Sequence, residues 1–273
     1  MARPDFRLRA GALVLGVIVV AAIGAPLFGP AGHAPDVVLG RFLSPLSHDV
    51  HGGFHLLGTD RLGRDVWSRL LYGARISLSV GFLTMLLSLG LGTMLGAGAA
   101  FAARGLSSLL LGVTDFALGV PRVVLLLLLA TLWQPGAVEV VLVLALTGWM
   151  PIARLVYAEA RAQLGRPYVE SATALGASRP RVLLRHILPH AAPPVLAAVT
   201  LGIGNAITLE AGLSFLGLGV QPPAASWGTL IASGRDTVVN APWVGLAPGI
   251  ALVCVVVSCT LIADGIQEHS ALR

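Results

Sequence analysis

Between Arg75 and Arg104 the chain carries no charged residue, and no other stretch narrows the choice of fold as far. A helix needs roughly 20 apolar residues to cross a bilayer. Inside lipid only a helix or a closed barrel satisfies its own backbone donors and acceptors. Residues 76–103 are therefore expected to form a membrane-spanning helix. Five further runs are long and apolar enough to cross: residues 11–29, 106–132 (which carries Asp115 and Arg122), 138–157, 191–212 and 242–263. Residues 11–29 lack an Ala-x-Ala-like end, so they read as an uncleaved first span rather than a removed leader. The composition agrees: 11% of the residues are charged, against about 25% in soluble domains. The expectation is an all-α integral membrane protein with six transmembrane helices.

Residues 213–236 are uncharged up to Arg235, yet they are not counted as a seventh span. Gly217, Gly219, Pro222, Pro223 and Gly228 interrupt them, and proline removes a donor that lipid cannot replace. A loop or a broken, protein-covered segment is expected there. Arginine placement sets the orientation. With the N-terminus inside, the inner segments hold Arg3, Arg7, Arg9, Arg104, Arg154, Arg161, Arg166, Arg179, Arg181, Arg185 and Arg273. The outer segments hold Arg41, Arg61, Arg64, Arg69, Arg75 and Arg235, beside Asp36, Asp49, Asp60, Asp65, Glu139 and Asp236. Both termini are thus expected inside. The chain divides into residues 1–75 (first span, outer loop, interfacial helix) and a five-span core over 76–273. Asp60 with Arg64 and Asp65 with Arg69 stand at i,i+4, which predicts a helix leading into the second span. Trp67 and Tyr72 suit the headgroup level.

Every basic residue is arginine. A chain without lysine has neither a Walker A lysine nor a Schiff-base nucleophile. Cys254 and Cys259 fit neither a CxxC redox pair nor a zinc knuckle and read as apolar fillers of the last span. His33, His48, His51 and His55 crowd the outer loop, but with only Asp49 as a supporting acid no metal site is expected. There is no HExxH, and Gly212 to Gly217 miss the GxSxG spacing by one residue. A secondary transporter would show an internal repeat, and none is evident.

The longest inner segment is 158–190. Pro167 suits a first helical turn, Tyr168 to Leu175 continue it, and Gly176 tolerates a left-handed cap. Ser178 is placed to cap a second helix with Pro180 in its first turn, running through Val182, Leu183, Leu184, Ile187 and Leu188 to Pro189. The pattern predicts two short helices around a tight glycine corner, with Arg181 and Arg185 on the polar face. By themselves the residues leave open a knob that enters a partner's groove and a hairpin lying on anionic lipid.

Glu170-Ser171-Ala172, Gly176 and Ile187-Leu188-Pro189 resemble the signature loop of permease subunits of bacterial ATP-driven importers. That signature begins Glu-Ala-Ala, has glycine four positions after the second alanine and ends in Leu-Pro. Ser171 stands in place of its first alanine, and His190 where asparagine often follows. Residues 56–75 (LLGTDRLGRDVWSRLLYGAR) and 213–228 (LSFLGLGVQPPAASWG) resemble the second, C-type permease of the dipeptide, oligopeptide and nickel importers. The resemblance runs from about residue 56 to 268.

It implies a type I importer permease fold in the bacterial inner membrane and no enzymatic activity of the chain's own. It further implies a heterodimer with a second homologous permease, two ATP-binding subunits that bind ATP and Mg, and an extracytoplasmic solute-binding protein; no nucleic-acid partner is expected. The loop at 168–189, through Glu170, Ser171, Ala172, Gly176, Ile187, Leu188 and Pro189, would couple to the ATPase. Peptides are the expected cargo, with nickel or another small solute as the alternative.

Asp115, Arg122 and Glu210, within the spans, are costly in lipid, by about 2.5–3.5 kcal/mol each. Asp115 and Arg122 would share a helix face about 10 Å apart. One of them is expected to meet Glu210 or the partner permease, as a polar clasp or as a contact with substrate.

Overall fold

The long uncharged run becomes the central element of the fold. In the computed structural model, which describes residues 4–28 and 40–271, helix α2 runs unbroken from Val66 to Phe101. Arg3, His33, Asp36, Arg273 and the last residue of the first expected span lie outside the described residues. Helix α1 (Pro4–Ile23) starts earlier than its apolar run, and a 3-10 turn follows at Ala25–Phe28. The hairpin β1 (Ser47–His48) and β2 (Phe54–His55) precedes α2. After α2 come α3 (Arg104–Gly119), α4 (Arg122–Leu132) and α5 (Ala137–Leu164). The short helices α6 (Pro167–Ala174) and α7 (Arg179–Val182) lead into α8 (Leu188–Phe215). Helices α9 (Trp227–Arg235) and α10 (Trp243–Ala271) complete the chain.

Among the described residues five helical runs are long and apolar enough to cross a membrane, and the α3–α4 pair makes a sixth when counted as one bent span. That third span is not the straight helix its apolar run suggested. It bends by 90° between Gly119 and Arg122. Pro121 has no N–H to continue the α3 ladder, and its ring pushes the preceding residue out of helical conformation; Val120 accordingly sits at φ −80°, ψ 128°.

Two further expectations change. Residues 56–65 are not helical. The Asp60 carboxylate instead accepts from the backbone N–H groups of Leu62 and Arg64 and from the guanidiniums of Arg64 and Arg69, so both arginines share one acid. Aspartate competes in this way with the helical ladder. Asp65 does not pair with Arg69. It caps α2, accepting from the Ser68 N–H at 3.0 Å.

The second loop helix also does not stop at Pro189. A π-turn at Leu183–Ile187 joins α7 to α8, and the Leu188 N–H reaches back to the Leu183 carbonyl. The widened turn moves the Arg185 carbonyl away from the Pro189 ring, which a normal α-turn would bring into collision. The result is one helical run from Arg179 to Phe215.

Small residues set the packing. A Cβ on Gly92 would lie 2.8 Å from Cβ of Ile152, and one on Gly96 would strike the Ala153 carbonyl, so α2 and α5 meet backbone to backbone. Met85, Ala97, Ile152, Val156, Ala191 and Val195 fill the joint between α2, α5 and α8. Helix α1 lies along α10, with Arg7 Nη1 2.9 Å from Glu268 Oε1. Residues 213–236 form no span: α8 ends at Phe215, a turn follows through Gly217 at φ +80°, and α9 opens with a Ser226–Thr229 capping box.

Candidate functional site

Three polar regions stand out, and the first is the glycine corner. Helix α6 begins after Arg166 with Pro167 in its first turn. At its end the Ala177 N–H donates to the Ala172 carbonyl (3.0 Å) and the Gly176 N–H to the Thr173 carbonyl (2.9 Å). With Gly176 at φ +85° this is a Schellman cap. Ser178 occupies the N-cap position of α7, but its hydroxyl makes no capping bond.

The corner has two faces. Val169, Val182 and Ile187 are buried with Ala100 of α2 and Ala160 of α5, and Phe101, Tyr157 and Leu164 pack around them. Burying a side chain the size of Ile187 stabilises by about 1.5–3 kcal/mol. Its opposite face is open: Glu170, Ser171, Gly176, Arg181, Arg185 and Pro189 are exposed, and Leu175 is 89% exposed. Tyr168 donates to Gln163 Oε1 and its ring lies 5.3 Å from that of His190. Of the residues in the signature, Ile187 therefore anchors the corner, Ala172 and Leu188 are half-buried, and the others face outward. The Glu170 carboxylate has no hydrogen bond or ion pair among the described residues.

The second region surrounds Glu210, which is 0% exposed. Its carboxyl group accepts from the hydroxyls of Ser77 (3.0 Å) and Ser214 (2.7 Å). Ser77 Oγ in turn accepts from the Trp227 N–H, and Ser214 Oγ from the Val220 N–H. The Trp227 indole N–H closes the arrangement on the Leu70 carbonyl. Helices α2, α8 and α9 are thus tied at one node.

The third region is the bend in the third span. Asp115 does not meet Glu210. Its carboxylate pairs with Arg154 of α5, whose Nε lies 2.6 Å from Oδ1. Arg122, the first residue of α4, meets neither acid: its buried Nε has no hydrogen-bond partner among the described residues. It borders a cleft of about 200 Å³ together with Gly119, Val120, Thr147 and Pro151. Pro151, inside α5, has no N–H to donate to the Thr147 carbonyl. Sequence reading missed Ser77, Ser214, Trp227 and Arg154. The Gly119-x-Pro121 pair was a visible sign of the bend, and Arg154 was a visible charge within the fourth span.

Of the outer-loop histidines, His55 lies 3.2 Å from Asp65 Oδ2 and 3.4 Å from Asp49 Oδ2, and His48 packs on Phe54. The Gly53 N–H is the main cause holding the Asp49 carboxyl below its ordinary range. No group of three or more His, Cys, Asp or Glu among the described residues is arranged to hold a metal ion.

A bundle of apolar helices, one of them broken at depth beside an unpaired cation, joined to an exposed and rigidly anchored corner, defines a membrane transport component. Residues 77–273 match the family described as binding-protein-dependent transport system inner membrane component, and the chain belongs to that family. It is a multi-pass inner-membrane permease subunit, and its family is one of permeases rather than catalysts. A Brucella suis chain named as a peptide transport system permease protein is 38% identical over 98% of this chain and 88% of its own length. The di/tripeptide transport system permease protein DppC of Pseudomonas aeruginosa is 35% identical over 94% of this chain and 85% of its own. Among solved structures, the MetNI methionine ABC transporter in an inward-facing conformation is similar with a TM-score of 0.61 at 19% identity, covering 74% of this chain and 96% of that one. The fold is that of type I importer permeases.

Proposed function

We propose that this permease carries peptides, forming half of the translocation path beside a second homologous permease. Two ATP-binding subunits supply hydrolysis, holding ATP and Mg, and an extracytoplasmic binding protein delivers the cargo. Both termini lie in the cytoplasm, on the side richer in arginine. The observation that carries the reading is the corner at Gly176. Its inner face is fixed to α2 and α5 while Glu170, Ser171 and Leu175 stand out from it, so force applied there moves spans instead of bending a loop. Glu170, Ser171, Ala172, Gly176, Ile187, Leu188 and Pro189 form the contact with the ATPase or its support. The peptide assignment draws on the relatives' names.

Asp115 and Arg122 belong to the path wall or to the permease interface, while the enclosed Glu210 ties α2, α8 and α9 together. Arg122 is the stronger of the two, because a broken helix offers its N-terminal dipole to an anionic group at membrane depth.

The test is uptake of labelled dipeptide, with nickel uptake in parallel, by cells depending on this transporter and carrying either the natural chain, which decides the cargo, or Gly176→Trp, which decides the coupling. A bulky side chain at φ +85° opposes the left-handed cap at a cost of order 1–2 kcal/mol. The expected result is a chain that still reaches the membrane but no longer co-purifies with its ATPase, and lost dipeptide uptake. Normal uptake with a normal ATPase complex would remove the coupling role, and nickel uptake without dipeptide uptake would remove the peptide assignment.

A further inference from the structure

At the end of α2 opposite the glycine corner, two cavities share one residue, Arg75. The first is a cleft of about 300 Å³ between α2 and the 223–225 turn, bordered by Arg64, Arg69, Tyr72 and Arg75. The second is an open, mostly apolar groove of about 480 Å³ along the same helix, bordered by Leu15, Val19 and Ile23 of α1, by Leu78, Ser79 and Phe82 of α2 and by Ile203 of α8. Tyr72, Arg75, Ser79 and Phe82 follow each other at helical spacing, so cleft and groove form one continuous track down a single face of α2.

We propose that this track binds one anionic glycerophospholipid, with its phosphate on Arg75 at the mouth of the cleft and an acyl chain in the groove. Depth is the first argument. From Arg75 to Phe101, the end of α2, the helical rise covers about 39 Å, more than the roughly 30 Å of hydrocarbon, so Arg75 stands at the headgroup level of the leaflet opposite α6. Charge is the second argument. Three guanidiniums border the cleft, and the one carboxylate that answers them among the described residues, Asp60, is already held by Arg64 and Arg69. Arg75 is exposed and has no ion pair among the described residues; its guanidinium lies 5.9 Å from the centre of the Tyr72 ring. A net negative headgroup complements this excess. Chemistry changes along the track where a lipid requires it, from guanidinium and phenol to leucine, valine and phenylalanine within about 10 Å. A peptide carboxylate would use the cleft and leave the groove unexplained.

The test uses the intact transporter reconstituted into nanodiscs of zwitterionic lipid containing a minor fraction of phosphatidylglycerol, then extracted in mild detergent. Mass spectrometry reads the phosphatidylglycerol retained per complex. Retention above the bulk fraction is expected for the natural chain. Arg75→Gln is expected to lower it about tenfold, in line with the loss of one charge-assisted contact. Ser79→Trp, which fills the groove from an exposed position, is expected to lower it without disturbing assembly. Arg235→Gln, on the same membrane face but paired with Asp236, is expected to change nothing. Bulk-level retention by the natural chain, or equal loss in Arg235→Gln, overturns the proposal. Unchanged retention in Arg75→Gln together with weakened peptide uptake also overturns it and assigns the cleft to substrate.

Discussion

Glu210 and Arg122 are both charges within apolar spans, and the structure treats them in opposite ways. Glu210 is fully enclosed and its carboxyl group is answered by two hydroxyls that themselves accept backbone N–H groups. Arg122 sits at a helix break, partly buried, with Nε unanswered. A satisfied polar network deep in a bundle fixes one arrangement of helices. An unsatisfied one is a standing cost that some other molecule or conformation must relieve. The contrast separates a group that holds the permease in shape from one that is available to what passes through it.

The largest expected effect is at the saturated site. Glu210→Ala removes the acceptor for Ser77 and Ser214 and opens a hole between three helices, at a cost of about 3 kcal/mol. Thermal unfolding of the detergent-solubilised chain should show a clear loss of stability, smaller for Glu210→Gln, which keeps one acceptor oxygen. Arg122→Gln should do the reverse. Stability is expected to hold or rise, since a partnerless buried charge is removed, while peptide uptake falls about tenfold if the guanidinium meets an anionic group in transit. A larger stability loss at Arg122 than at Glu210 would invert the comparison. The smallest effect is expected at Asp115. It and Arg154 are 49% and 38% exposed at their side chains, and pairs this open contribute about 0–1 kcal/mol. Asp115→Asn should leave the melting profile nearly unchanged, and a large shift would mean that this pair is enclosed by a partner subunit in the membrane.

The same pair of residues shows how far the sequence could be read. That Glu210 would need a buried partner followed from its place in an apolar run, but Ser77 lies 133 residues away, and no local pattern links them. Asp115 and Arg122 were expected on one helix face, with one of them meeting Glu210 or the partner permease. Pro121 broke that face, and Arg154 on another helix took Asp115. The corner at Gly176 was legible because caps are local: proline, a short apolar pattern and glycine act within a few residues of one another. The continuity of α7 with α8 was not. Proline ordinarily ends a helix, and only the added residue of a π-turn let this one continue past Pro189.

That joint has a mechanical meaning. The run from Arg179 to Phe215 is 37 residues long, about 55 Å by the helical rise, with the exposed corner at one end and the Glu210 node at the other. Pro189, Pro193 and Pro194 and the π-turn all fall in its first half, where missing N–H donors make bending cheap. Beyond Pro194 the helix is uninterrupted and stiff. The element is a lever with its flexure beside the handle: a push at the corner is absorbed as an angle at the joint, and the far arm swings as a unit, so displacement is delivered at the node without being spent along the way.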